Sequence, residues 1–351
     1  MMIIMVSVAV CVAESPENRE SSELGQLFQG HSYSLTSSDG QLSGRGVEFL
    51  LAETKSAQFV CIAEPHNVRE IPIFVTSLFE LLGQQRAFRF LAIEQGPLIT
   101  SHIGRLAQTM SNDEIRKVVR EQRKALHFRT IEEVEMIADV ARLSEDSVPA
   151  VWGLDRVLAP KFLENYLARD AGQQDPEREF LVKRAAWSAD NLAKYRADRN
   201  SQAARSADQH REDGFKDGFQ HYYQLAKTNG QPDPRVVFRF GHVHMGRLAG
   251  RRYDCLGRYL NDFAKENGLR TFHLNIQLIN KPGNYWSLTD YPEYTPLASV
   301  GDPDKWVLVN LRPARSPLQT GELQASDKLK EFVENYDAVL LMGGASRGRR
   351  L

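Results

Sequence analysis

"FVCIAEPHNVREIP" occupies residues 59–72. Five apolar residues run without a break and then give way to Glu64, Pro65 and His66. A continuous apolar run of this length is what a strand covered on both faces looks like. The next segment, "PIFVTSLFELLGQQ" (72–85), reads as a helix, with Pro72 suited to its first turn and Gly83 to its stop. A buried strand feeding directly into a helix is the opening of an α/β fold.

The rhythm repeats down the chain. "FRFLAIE" (88–94) reads as a second strand. "SNDEIRKVVREQRKAL" (111–126) and "TIEEVEMIADVARL" (130–143) read as amphipathic helices capped by Ser111 and Thr130. "VPAVWGLD" (148–155) is a third strand, "PKFLENYLARD" (160–170) a helix and "PRVVFRFGHVH" (234–244) a fourth strand. In "DCLGRYLNDFAKENG" (254–268), Leu256, Tyr259, Leu260 and Phe263 share one helical face and Gly268 marks the stop. "TFHLNIQLI" (271–279) alternates apolar and polar residues and predicts a half-buried strand. "WVLVNL" (306–311) and "DAVLLMGG" (337–344) bring the total to about seven strands. The expected architecture is three-layer α/β/α with a mostly parallel central sheet, over residues 46–346. Helical insertions are expected at about 105–145 and 175–228. The polar stretch 194–214 reads as a solvated helix or loop, with a lid as the sharper alternative.

The ends of the chain read differently. Residues 1–13, "MMIIMVSVAVCVA", carry no charge and are too short to span a bilayer. They have the length of a signal-peptide core, which predicts export to the periplasm and no transmembrane helix in the mature chain. Residues 14–45 read as a polar linker, and 347–351 as a basic tail. With the leader removed, Cys61 and Cys255 remain, either paired or as two buried thiols. A net charge of −1 gives no field that would draw nucleic acid, so a small-molecule substrate or ligand is the expected partner. No glycine-rich nucleotide loop, nucleophile elbow or H-E-x-x-H motif occurs.

Four strand candidates end in chemistry. Glu64 and His66 follow the first, Glu94 the second, Asp155 the third, and His242 and His244 the fourth. In open α/β sheets, ligands bind outside the C-terminal edge of the strands, so these residues are expected to converge. An imidazole titrates near 6.5 and takes a proton from water, and a carboxylate beside it orients the ring. His66 with Glu64 or Glu94 suits that role. Arg239 or Arg69 suits an oxyanion, because guanidinium stays charged. The alternative is a divalent metal on Glu64, His66 and His244.

The ordered series "AEPHNVREIP", "LAIEQGP", "VWGLD" and "RFGHVHMGR" resembles the erythromycin-esterase and ChaN-like superfamily. "RAAWSADNL" (184–192) and "YDAVLLMGGASR" (336–347) resemble its later helix and last strand. The resemblance spans residues 46–346 and implies the three-layer fold. By position it assigns Glu64 and His66 to the Glu-x-His segment, Glu70 to the following Glu, Glu94 to the second strand and His244 to the later histidine. Ala63 stands where the family carries Gly, and Gly241 where the macrolide esterases carry the first His of their pair. The esterase branch implies a hydrolase of an ester, lactone or amide, with His66 as base. The ChaN-like branch implies an envelope protein binding a metal or haem iron without turnover.

Overall fold

The computed structural model describes residues 16–144, 148–159, 176–197, 202–248, 254–283 and 285–351. Single-turn segments aside, the chain runs as follows. Helix α1 (Pro16–Gly30) leads into a hairpin, β1 (Ser32–Ser38) and β2 (Gln41–Ser43), then α2 (Arg45–Thr54). Strand β3 (Phe59–Glu64) is followed by α3 (Glu70–Arg86), β4 (Phe90–Ile93), α4 (Pro97–Ala107), α5 (Asn112–Glu121), α6 (Ile131–Arg142) and β5 (Val151–Gly153). Two long helices, α7 (Pro176–Ala197) and α8 (Gln202–Thr228), precede β6 (Val236–Gly241). Then come α9 (Leu256–Glu266), β7 (Thr271–Leu278), β8 (Trp306–Asn310), α10 (Arg312–Thr320), α11 (Asp327–Asn335) and β9 (Ala338–Met342).

The strands form one sheet in the order β2-β1-β8-β9-β7-β3-β6-β4-β5. The six strands from β9 to β5 are parallel, and β8 runs antiparallel to both β9 and β1. The chain moves from β3 out to β4 and β5, returns to insert β6 between β3 and β4, then crosses to β7 on the far side of β3. That reversal opens a crevice at the strand ends. It also makes β3, β6, β4 and β5 neighbours, so the four residue groups singled out by sequence end side by side. Glu64 lies opposite Gly241, and Ile93 opposite Arg239.

Alternation along each strand sends side chains to two cores. Val60, Ile62, Leu91, Ile93 and Val237 pack against α3, α4 and α6 through Val75, Leu78, Ile103, Val134 and Ile137. Phe59, Phe90, Trp152 and Phe238 pack on the other face against Phe215, Phe219 and Tyr222 of α8. Phe219 meets Phe59 edge-on at 5.5 Å. Burying each of these large rings stabilises the fold by roughly 1.5–3 kcal/mol, and truncating Phe219 to alanine would cost about 3–5 kcal/mol. This packing holds the polar N-terminal half of α8 over the crevice.

The three-layer class is as expected, with nine strands in place of seven. The two extra strands lie in 14–45, which is not a linker over its described part. Leu24 and Phe28 are one helical turn apart and fully buried, and β1 pairs with β8. Their apolar spacing is sparse within a Ser- and Gly-rich stretch, which is why composition hid them. Strand β7 is not half-buried: His273, Asn275 and Gln277 on its polar side are covered as well. His273 Nδ1 lies 2.9 Å from the Met245 carbonyl, and the Gln277 amide nitrogen donates to Asn275. Residues 347–350 are no free tail. Arg347 bridges to Val68, and Arg350 to Thr130. The signal-peptide segment 1–13 and the helix expected at 160–170 lie outside the described residues. Cys61 and Cys255 are both free and buried. No helix among the described residues is long and apolar enough to cross a membrane.

Candidate active site

The β3 end builds the first half of the site. Pro65 cannot donate to a ladder, so pairing stops there. Asn67 turns the chain with φ 60°, a left-handed conformation that asparagine tolerates. Between them His66 is held in place. Its Nδ1 lies 2.8 Å from Glu64 Oε1, and its ring stacks on Phe128 with centroids 4.1 Å apart. Its Nε2 is 3.4 Å from Glu94 Oε2. The imidazole is the exposed member of this group: 29% of its side chain is accessible, against 1% for Glu64 and 4% for Glu94. Arg239 lies beneath, 3.1 Å from Glu64 Oε1, and donates to Glu133 from α6.

Glu94 joins this half to a second. Its Oε2 accepts from the Gly241 amide at 2.9 Å, while Oε1 accepts from Arg211 at 2.7 Å and faces His244 Nε2 at 3.4 Å. Arg211 also donates to both oxygens of Asp155. His127 lies 3.3 Å from Asp155, and the amide of Arg156 donates to it. His244 Nδ1 bonds Glu212, whose other oxygen accepts from the Leu256 amide at 2.8 Å.

Burial and pairing set the charges. Burial opposes ionisation of Glu64, but Arg239 and then His66 outweigh it and hold the carboxyl below its ordinary value. Burial opposes the His66 cation too, yet Glu64 and then Glu94 raise its pKa above the usual histidine range. The Glu94 carboxyl is buried, but His244 and Arg211 draw it well below its ordinary value. Asp155 is likewise depressed against burial, by Arg211 and then His127. His244 is raised to about 10, because Glu94 and Glu212 overcome its burial. His127 is pushed down by burial and stays neutral near pH 7. The result is a ring of ionised carboxylates interleaved with Arg239, Arg211 and the His244 cation, with His66 at its mouth.

The structure therefore brings Glu64, His66, Glu94, Asp155, Arg239 and His244 into one network. It does not bring in the rest. Glu70 accepts two hydrogen bonds from Ser346 and clamps the C-terminal segment. Arg69 is half exposed and lies 3.8 Å from Glu132. His242 turns away to the Ile276 carbonyl at 2.9 Å. Arg239 is 3% exposed and held between two glutamates, so it positions Glu64 and does not meet an oxyanion. Sequence reasoning missed Arg211, Glu212, Glu133, His127 and Phe128. Arg211 and Glu212 come from the stretch read as solvated or loop. A signal was present there: both share a helical face with Phe215 and Phe219.

Glu64, His66 and His244 do not form a metal site. Glu64 Oε1 is taken up by His66 and Arg239, and His66 and His244 lie against opposite oxygens of Glu94. Among the described residues no three His, Cys, Asp or Glu side chains are arranged to hold a metal ion.

No protein-family model matches the chain, and no curated protein matches it significantly. Solved structures do. A Bacillus cereus protein superposes with a TM-score of 0.63 at 11% identity, over 94% of this chain and 99% of its own. A succinoglycan biosynthesis protein superposes with a TM-score of 0.61 at 12% identity, over 94% and 98%. The α/β fold is shared with both along nearly its whole length. An erythromycin esterase, EreC in its open conformation, matches more loosely, with a TM-score of 0.45 at 11% identity over 86% and 94%. So does the haem-binding ChaN of Campylobacter jejuni, with a TM-score of 0.39 at 11% identity over 89% and 98%.

Proposed function

We propose that the chain is a hydrolase of an ester, lactone or amide, with His66 as the general base. The observation that carries this reading is the placement of His66: a part-exposed imidazole fixed by a buried carboxylate on one nitrogen, with its other nitrogen at the mouth of the crevice. Glu64 accepts the hydrogen bond from Nδ1–H, fixes the tautomer and stabilises the cation that forms when Nε2 gains a proton. Nε2 then faces a water or a substrate carbonyl. At 3.4 Å, Glu94 Oε2 is close enough to help orient that water without capturing the ring. The charge that develops on the carbonyl oxygen meets Arg211, the more open cation of the network, which Glu94 and Asp155 fix in advance. Fixed dipoles and charges need no reorganisation during the reaction, which is where such sites gain most of their rate.

The test is turnover of a panel of activated esters and lactones by the parent and by His66→Ala. The expected outcome is hydrolysis by the parent and loss of about 10²–10⁴-fold in the variant, at unchanged circular dichroism. Equal rates in the two proteins would remove His66 from the chemistry.

A further inference from the structure

A cavity of about 290 Å³ opens at the same sheet edge, and His242 forms part of its wall. His242 follows Gly241 directly and is close enough to the site to feel the charges of Glu64 and His66. Asn275 and Gln277 of β7 contribute the floor, and Trp286, Tyr291 and Tyr294 the sides. Pairing of Asn275 with Ala63 sets that floor beside β3. The aromatic wall is built, not incidental. Ser287 is fully buried, donates to the Leu278 and Ile279 carbonyls and closes a capping box with Asp290. This fixes Trp286 edge-on to Tyr291 at 5.9 Å.

The chemistry of the lining selects its ligand. Trp286, Tyr291 and Tyr294 offer flat apolar faces. Gln277 is 5% exposed; its amide nitrogen donates to Asn275, while its carbonyl oxygen is buried and accepts no hydrogen bond from the described residues. A purely apolar ligand would leave that acceptor unsatisfied. Burial holds His242 below the ordinary histidine value, so it is neutral. At the rim Lys328 and Glu293 neutralise each other at 2.5 Å. A charged ligand thus finds no counter-charge. A sugar ring presents an apolar C–H face and a rim of hydroxyl donors, which matches stacking surfaces beside neutral amides.

We propose that this cavity is a saccharide subsite, and that the ester attacked at His66 joins an acyl group to a sugar hydroxyl. The reaction half rests on the hydrolase reading; the binding half does not. Water adds to the acyl carbonyl and its proton passes to His66 Nε2. The ester C–O bond then breaks, and the departing sugar oxygen takes that proton back. A carboxylic acid and the free sugar leave.

The experiment is saturation-transfer NMR on the full chain with the methyl glycosides of glucose, galactose, mannose and N-acetylglucosamine. At least one probe is expected to bind the parent and His66→Ala alike, and to bind Trp286→Ala and Gln277→Leu about tenfold more weakly. Circular dichroism confirms that each variant is folded. No binding to the parent, or equal binding by both cavity variants, overturns the subsite whatever the fate of the hydrolase. Acetate release from O-acetylated forms of the bound glycoside tests the second half. Binding without release by the parent overturns the acyl-sugar substrate and leaves the subsite standing.

Discussion

Gly241→Ala tests the site with a single methyl group. The Gly241 backbone has φ −59°, which any residue adopts, so the substitution adds no backbone strain. Its new Cβ would lie 2.6 Å from His66 Nε2 and 3.0 Å from Cε1. Ordinary contact begins at 3.4 Å, so the ring must retreat by about 0.8 Å. It has little room to do so, because Phe128 stacks against it and Glu64 holds Nδ1. A displacement of roughly 1 Å at a reacting group lowers rate about a hundredfold, or about 2.7 kcal/mol in kcat/KM. The assay is steady-state hydrolysis of an activated ester, alongside thermal unfolding. The activity loss is expected with a fall in Tm from the overpacking, about 1–3 kcal/mol of stability, and the same substitution made in a His66→Ala background is expected to add nothing to the activity loss. A kcat/KM within about threefold of the parent would refute the placement of His66 as the proton acceptor at this distance.

Four further outcomes are expected, three of the network and one of the C-terminal clamp. The kcat/KM profile should rise with pH through a His66 pKa above the ordinary histidine range, and Glu64→Gln should move that limb to lower pH, as read from pH–rate profiles. His244 has a folded pKa of about 10, above its unfolded value of about 6.5. Its stabilisation is therefore complete below about pH 6.5 and lost as pH rises toward about 10; a Tm series should show this decline and His244→Gln should flatten it. Arg211→Met leaves Glu94 and Asp155 buried without their shared cation and should destabilise by about 3 kcal/mol in urea unfolding, with activity lost. Glu70→Ala removes two hydrogen bonds from Ser346 and should cost about 2 kcal/mol of stability while kcat stays near the parent value.

The parallel sheet was legible because its strands are covered on both faces, which turns burial into unbroken apolar runs such as 59–63 and 236–238. The crevice was legible because Glu, Asp or His stands at or just beyond the end of four of these strands. The residues that escaped share a common cause. A buried ion pair and a solvated one have the same composition, so Arg211 and Glu212 read like any other charges in a polar stretch. Only the aromatic face beneath them, Phe215 and Phe219, distinguishes them. Glu133 escaped for a similar reason: acidic residues in a first helical turn, as at Glu132 and Glu133, are expected from the helix dipole alone. The same ambiguity ran the other way for Glu70 and Arg69, whose charges serve the C-terminal segment and Glu132. His242 was placed with His244 by adjacency, but the single helical turn that carries both points them apart.

The docking of residues 346–350 bears on the order in which the molecule assembles. Ser346 meets Glu70 across 276 positions of sequence, Gly348 donates to the Asn67 carbonyl, and Arg349 reaches Glu132 across 217. These contacts tie the turn behind His66 to the start of α6. They are translated after every strand of the sheet, so no local segment can supply them early. The nascent chain can thus complete its sheet while the His66 turn still lacks its last restraint. Segment 346–350 is thus a late clasp, set in place only once the strands that frame the turn already exist.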